Sequence, residues 1–465
     1  MRKIPILNPK IRLLGILIPL SFLSPSCEAL LEVDLPADQI NTDQVYQNIA
    51  LAEQALNGIY ANLREKSILS GESSGLGTLL SLYTDELTAY EEPGSINEFS
   101  AFYSNAIRSS SLVLTAIWDQ SYNQIYTLNR FIEGVTNSSQ LSSNEKERLL
   151  AEASLLRALY YQYLTCLFGD IPYTTTTDYQ INTKLQKTPH ETVLIAIEED
   201  LKYSLEHLSY SYRSPYRIYP NKACAELLLA KNYALQNNYT LAAQTLNTIL
   251  QVPDYALEQD LAKVFKREAK STLWQLDSNA EGTPTSEAKN YIFVTLPPIR
   301  YALNPKLLTQ FASTDLRRTH WIKTLTEGQH SFSHAFKYKN NNSNADEYSL
   351  VFRLEEVLLL EVESFLYLGQ TAEAIGQLNR LRRRANLSPL ALDLSVEQVM
   401  QAYLDEDQRE FFTEHGHRFF TLKRNHQLAQ LKNYKPGWQD FHQVWPIPQK
   451  ELLLNPNLQP QNHGY

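Results

Sequence analysis

Apolar residues recur every three or four positions along residues 145–172, and this spacing predicts a long helix with one buried face. Ser142 and Asn144 offer capping side chains just before it, while Gly169 and Pro172 favour an abrupt end. The predicted buried stripe consists of Leu149, Ala153, Leu156, Tyr160, Leu164 and Leu167.

The same period covers much of the chain, so we expect a mostly α-helical fold. Residues 71–100 and 252–344 interrupt it with Gly, Pro, Asn and aromatic residues, and we expect loop-rich insertions there. The C-terminal segment 435–465 should be extended but packed on the helices, because it carries apolar residues such as Trp438 and Trp445. The other predicted helical stretches are residues 42–64, 102–135, 189–208, 221–251 and 396–413.

An internal repeat indicates how the helices are arranged. Ala242 and Leu246 recur 132 residues later as Ala374 and Leu378, each time in a helix, short turn, helix unit. A small residue early in the second helix lets two helices approach closely, as in a tetratricopeptide repeat. The sequence therefore predicts a scaffold of tetratricopeptide-like helical pairs, interrupted by the insertion 252–344.

The N-terminus predicts export. Basic residues precede a short apolar run at 13–23, followed by small residues and Cys27, which is the arrangement of a bacterial lipoprotein signal. We expect residues 1–26 to be a signal peptide, Cys27 to be lipidated, and residues 27–465 to form a single body. An ordinary signal peptide followed by a chance cysteine is the alternative.

Charge and cysteine content limit the partners. Removing residues 1–26 takes away four basic residues and changes the net charge from −9 to −13, which disfavours nucleic acid. Cys166 and Cys224 remain, both in apolar helical patterns, so buried thiols are expected rather than a disulfide framework.

The sequence motifs that could indicate catalysis lack the neighbouring structure that such active sites require. Residues 71–75 match G-x-S-x-G, but no strand precedes and no α/β alternation surrounds them. The adjacent pairs Asp85-Glu86 and Glu91-Glu92 do not supply two carboxylates on either side of a sugar bond. The histidines lack metal-site spacing, so no metal or cofactor is predicted; they are His320, His330, His334, His415 and His417.

Aromatic residues provide the positive case for binding. The chain has 28 Tyr, 17 Phe and 5 Trp, and some of these rings should lie outside the core. Exposed rings can stack on the apolar faces of sugars. Candidate ligand-binding residues in or beside the insertions are Trp321, Trp274, Tyr291, Tyr301, Tyr338, Phe332 and Tyr90, with Trp321 and Trp274 favoured. For each of them, packing in a core of the inserted lobe is the alternative.

Four stretches together resemble the RagB/SusD family in the family's order. They are residues 27–36, Arg157-Ala158 with FGDIP at 168–172, REFFTEHGHRFFTLKR at 409–424, and WPIPQKE at 445–451 with residues 455–458 and 461–465. Thr421 and His463 depart from the residues common in the family, aspartate and proline.

The resemblance implies a non-enzymatic, surface-exposed outer-membrane lipoprotein of Bacteroidetes-type bacteria. It implies capture of oligosaccharides, or in some members peptides or glycoproteins, for a SusC-like TonB-dependent transporter. It also implies the family's tetratricopeptide-like scaffold with a loop-rich binding lobe. The alternatives are a helical-repeat adaptor that binds proteins and, third, an all-α glycoside hydrolase.

Overall fold

The computed structural model describes residues 45–90, 98–278 and 280–465. The predicted signal peptide, Cys27 and Glu91-Glu92 lie outside these residues. None of the helices within the described ranges is both long enough and apolar enough to cross a membrane.

The fold is mostly α-helical, as predicted, with three small two-stranded sheets in the described residues. The helices are α1 (Ile49–Lys66), α2 (Leu76–Tyr83), α3 (Glu98–Tyr103), α4 (Leu112–Asn137), α5 (Ser143–Phe168), α6 (Tyr179–Asn182), α7 (His190–His207), α8 (Lys222–Leu235), α9 (Tyr239–Leu250), α10 (Ser286–Tyr291), α11 (Pro305–Thr309), α12 (Leu316–Trp321), α13 (Leu354–Tyr367), α14 (Thr371–Arg384), α15 (Val396–Phe411), α16 (His417–Arg424) and α17 (Gln449–Leu454). The strands are β1 (Leu87–Ala89), β2 (Thr272–Leu276), β3 (Tyr301–Leu303), β4 (Ile322–Glu327), β5 (His330–Ala335) and β6 (Ser349–Arg353).

Helix α5 is the central element and begins and ends as its sequence predicts. Ser142 and Glu145 form a reciprocal capping box, and Gly169 ends the helix with a φ of +73°. Burial exceeds the predicted stripe, because every residue from Ala151 to Phe168 is buried. Helices α4 and α7 both pack against α5.

The repeat prediction is confirmed. Helices α8 and α9 form one antiparallel pair and α13 and α14 form the other, and α9 packs directly on α13. The two units are thus neighbours in space although an insertion separates them in sequence. Ala242 and Ala374 have no exposed surface, which fits their role as close-approach residues.

The two predicted insertions contain more regular structure than expected. In residues 71–100, α2 is a wholly buried helix where the sequence indicated loop. Strand β1 pairs antiparallel with β3, so the two insertions lie side by side. Strand β2 pairs with β6, and β4 and β5 form a hairpin closed at Gly328. These pairs organise the inserted lobe.

The C-terminal segment packs on the scaffold, as predicted. Trp438 and Trp445 are buried, and the Trp445 amide donates to the Leu167 carbonyl at 2.7 Å near the end of α5. Trp118 on α4 is buried as well. Cys166 and Cys224 are buried free thiols, which confirms that prediction.

Candidate functional site

Trp274 and Trp321, the favoured candidates, are core residues. Both have 0% exposed surface, so neither has a face open to a ligand, and the prediction of exposed stacking rings is wrong for them. The Trp321 indole N–H donates to the Leu261 carbonyl at 2.9 Å, and that of Trp274 donates to the Ile218 carbonyl at 3.3 Å. A lobe of this size needs its own apolar core, and these rings supply it.

Three candidate tyrosines are also buried, so the same correction applies to them. The Tyr338 hydroxyl accepts from the Leu350 amide at 2.9 Å, and the Tyr301 hydroxyl donates to Asn290. The Tyr291 hydroxyl lies 3.0 Å from that of Thr78. Buried hydroxyls with protein partners hold the lobe together and leave no group for a ligand.

The structure brings the other two candidates, Tyr90 and Phe332, into contact. Their ring centroids are 5.3 Å apart with the planes at 85°, an edge-to-face pair, and both side chains are half-buried. Tyr90 directly follows β1 and its amide donates to the Arg300 carbonyl at 2.8 Å, while Phe332 lies on β5. The pair therefore joins the two insertions at the lobe surface.

Phe332 belongs to a row of rings on one side of the β4–β5 hairpin. Successive strand residues point to opposite faces, so Phe332 and His334 share a face and Phe336 continues the row. Phe293 lies on the same row, with its ring 4.7 Å from that of His334, and Phe336 flanks His334 at 5.9 Å. We define the hairpin face as Tyr90, Phe293, Phe332, His334 and Phe336.

Phe293 and Phe336 were not among the binding residues predicted from the sequence. The alternation Phe332, His334, Phe336 is a strand signal that could have identified the second of these. Nothing in the local sequence around Phe293 indicates that its ring meets His334, because this contact joins segments about 40 residues apart.

His334 is the titratable residue of the hairpin face. Burial lowers its pKa to about 4, so the ring is neutral near pH 7. His334 Nδ1 lies 3.2 Å from both the Phe293 amide nitrogen and the Tyr291 carbonyl oxygen, whereas Nε2 has no hydrogen-bond partner among the described residues. Lys323 places its Nζ 5.2 Å from the Phe336 ring. The face thus combines apolar rings with a nearby cation.

The opposite side of the hairpin is polar. Thr324 and Ser333 hydroxyls lie 2.7 Å apart across the strands, and those of Thr326 and Ser331 lie 2.9 Å apart. These pairs hold the strand register, so the rings of the hairpin face keep their spacing.

The residues of the candidate catalytic motifs make structural contacts. Asp85 is buried and accepts from Arg418 Nε and Nη2, each at 3.0 Å. Glu86 is buried and accepts from Ser81 at 2.5 Å; burial raises the pKa of Glu86 to about 7. The turn at residues 71–75 leads into α2, and no strand precedes it within residues 45–70. The contacts with Arg418 give Asp85 a structural role.

His415, His417 and Glu414 likewise make structural contacts. His415 Nε2 lies 2.8 Å from the Leu350 carbonyl, and the His417 ring stacks on Phe411 at 4.0 Å. Glu414 accepts from Lys337 at 2.5 Å and from Arg353 at 3.0 Å. Within the part of the chain that the structure describes, no group of His, Cys, Asp or Glu is arranged to hold a metal ion.

The fold places this protein among helical-repeat proteins that carry an inserted lobe. Comparison with known families then identifies it, and the chain belongs to the SusD family. Residues 31–234 match the family model described as "Starch-binding associating with outer membrane", and residues 317–465 match the one described as "SusD family".

Curated relatives from Formosa agariphila support the assignment. SusD-like protein P2 is 23% identical, covering 92% of this chain and 95% of the relative. SusD-like protein P25 is 24% identical, covering 95% and 97% respectively.

Solved structures share the fold. A SusD superfamily protein from Bacteroides vulgatus has a TM-score of 0.77 at 21% identity, covering 90% of this chain and 100% of that chain. A laminarin binding SusD-like protein gives 0.75 at 20% identity, with 90% and 100% covered. The surface glycan-binding protein A from Bacteroides fluxus gives 0.74 at 20% identity, with 90% and 99% covered. At these identities the likeness establishes the fold.

Proposed function

We propose that this chain is a nutrient-binding lipoprotein that captures oligosaccharides at the cell surface through the hairpin face. The observation that carries the proposal is the contact between Tyr90 and Phe332, which brings half-buried rings from both insertions to one surface. Rings of this kind stack on the C–H faces of sugars, and two structural neighbours are named as a laminarin binding protein and a surface glycan-binding protein.

The lipid anchor and the transporter belong to the same proposal. Cys27 follows a signal of the lipoprotein type, and one matching family model is described as associating with the outer membrane. A captured sugar would then pass to a TonB-dependent, SusC-like transporter. Replacing Cys27 by Ser should move the protein out of the membrane fraction, and unchanged fractionation would contradict the anchor.

A binding assay tests the central claim. The full chain is titrated with gluco-, galacto-, manno- and xylo-oligosaccharides by calorimetry, and the mixtures are examined for released products. The double variant Tyr90→Ala/Phe332→Ala should weaken binding at this face by about tenfold or more. Tyr179→Ala removes a ring that is 78% exposed on α6 and serves as the matched control.

Three results would count against the proposal. Binding that the double variant leaves unchanged would exclude the hairpin face, and products released by the parent would replace binding with catalysis. A parent protein that binds none of the sugars would favour the adaptor alternative.

A further inference from the structure

A second concave surface lies on the helical scaffold and shares no residue with the hairpin face. It is an open groove of about 420 Å³ between α4, residues 172–176, residues 182–185 and the C-terminal residues 451–458. Pockets for small ligands typically span about 300–1,000 Å³, so the groove has the size of a binding site. We call it the scaffold groove.

Aromatic residues of α4 form one side of the scaffold groove. Trp118, Tyr122 and Tyr126 are spaced by four residues and therefore share one helix face. The Trp118 and Tyr122 rings lie 4.8 Å apart at 37°, and the Tyr122 hydroxyl donates to the Pro172 carbonyl at 2.8 Å. Tyr126 is 43% exposed and its hydroxyl has no partner among the described residues. The row thus ends in an accessible ring.

The facing wall is fixed, so the groove is preformed. The Thr174 hydroxyl donates to Asn182 at 2.8 Å, and Asn129 of α4 donates to the Thr174 carbonyl at 3.1 Å. Asn455 from the C-terminal segment donates to the Leu185 carbonyl at 2.8 Å. A ligand would not have to order these walls, which reduces the entropic cost of binding.

Acceptor groups lie beside the aromatic row. Glu451 lines the groove, is half-buried, and has the Trp118 indole as a side-chain hydrogen-bond partner. Burial and the neighbouring Asp119 raise the pKa of Glu451. Asp119 pairs with Lys450 at 2.8 Å through one carboxylate oxygen. The two carboxylates and the Tyr126 hydroxyl retain capacity to accept hydrogen bonds.

We propose that the scaffold groove is a second saccharide site, in which a sugar ring stacks on Tyr126 and donates hydroxyl hydrogens to Glu451 and Asp119. Accessible aromatic surface beside acceptors suits a polyol, which combines apolar C–H faces with many donors. A basic peptide fits less well, because Lys450 already neutralises Asp119. The ligand class rests on the proposed function, whereas the location does not.

Calorimetry on the full chain tests the inference, using the gluco-, galacto-, manno- and xylo-oligosaccharides and, separately, tetralysine. The variants are Tyr126→Ala, Glu451→Gln, the double variant Tyr90→Ala/Phe332→Ala, and the control Tyr179→Ala, which removes an exposed ring that does not line the groove. We expect two sites in the parent. Tyr126→Ala and Glu451→Gln should each weaken one site by about tenfold or more, while Tyr179→Ala retains both.

The outcomes separate this inference from the proposed function. A single site that is lost in the double variant and unchanged in both groove variants overturns the scaffold groove and leaves the hairpin face standing. Binding lost only in the groove variants supports the scaffold groove and overturns the hairpin face. A parent that binds no sugar overturns both, and tetralysine binding lost in Glu451→Gln without sugar binding overturns the saccharide assignment.

Discussion

Arg418 and Asp85, which are 333 residues apart in sequence, form a two-pronged ion pair inside the molecule. Arg418 Nε and Nη2 each lie 3.0 Å from a different carboxylate oxygen of Asp85, and both side chains are buried. Gln408 of α15 donates to the same carboxylate at 3.0 Å. The ion pair thus connects the segment before β1 to helix α16 in the C-terminal half of the chain.

Asp85→Asn should destabilise the fold strongly. The substitution leaves the Arg418 charge buried without its counter-ion, which typically costs about 3–5 kcal/mol. Urea unfolding of parent and variant measures the difference. The control is Asp440→Asn, which breaks the exposed pair with Lys432 and should cost at most about 1 kcal/mol. Equal, small losses for both variants would contradict a structural role for Asp85.

The small residues of the repeat should resist enlargement. Ala374→Leu would push a larger side chain into the contact between α13 and α14, and overpacking typically costs about 1–3 kcal/mol. Ala372→Leu, on the exposed side of the same helix, is the matched control and should leave the free energy of unfolding nearly unchanged. An Ala374→Leu variant as stable as the parent would show that the close approach does not matter.

The scaffold was predictable because its signals are local. Helical spacing, the Ser142 cap, Gly169 and the recurrence of Ala242 as Ala374 each follow from residues close together in sequence. The helix α2 escaped detection because it is only eight residues long and directly follows the Gly- and Ser-rich residues 70–75, which indicated a loop. Its eight residues are all buried by tertiary contacts that the local sequence does not reveal.

The site was less predictable because the sequence does not reveal which rings are buried. Trp321 and Phe332 both lie in the same insertion, yet one is in the core and the other at the surface. The difference depends on tertiary partners such as the Leu261 carbonyl, 60 residues away, which accepts from the Trp321 indole. Buried charges show the same dependence: Lys337 donates to Glu414, which lies in the turn between α15 and α16.

Trp321→Phe and Phe332→Ala should therefore affect different properties: the first mainly the stability of the fold, the second mainly the affinity for sugar. Trp321→Phe loses a buried hydrogen bond and leaves a small cavity, so it should lower the free energy of unfolding by about 1–3 kcal/mol without changing sugar affinity. Phe332→Ala should reduce sugar affinity and change stability less. Urea unfolding and calorimetry on both variants provide the comparison. A loss of sugar affinity in a folded Trp321→Phe variant would show that Trp321 contributes to sugar binding.

Glu361 links stability to pH. It lies on α13, is buried, and its carboxylate accepts from Gln377 of α14 at 2.5 Å. Burial raises the pKa of Glu361 from an ordinary value of 4.5 to about 7. Between these values the folded chain holds a proton that the unfolded chain has released, so this group makes the fold less stable as the pH rises through that window.

Glu361→Gln should remove this contribution, since glutamine keeps the shape and cannot ionise. Relative to the parent, the variant should gain stability between pH 4.5 and 7, by at most about 1.4 kcal/mol per pH unit. Burial also raises the pKa values of Glu86, Glu287 and Asp407 to about 7, so only the difference between variant and parent isolates Glu361. Urea unfolding at several pH values measures that difference. A difference that stays constant with pH would show that Glu361 titrates alike in the folded and unfolded chains.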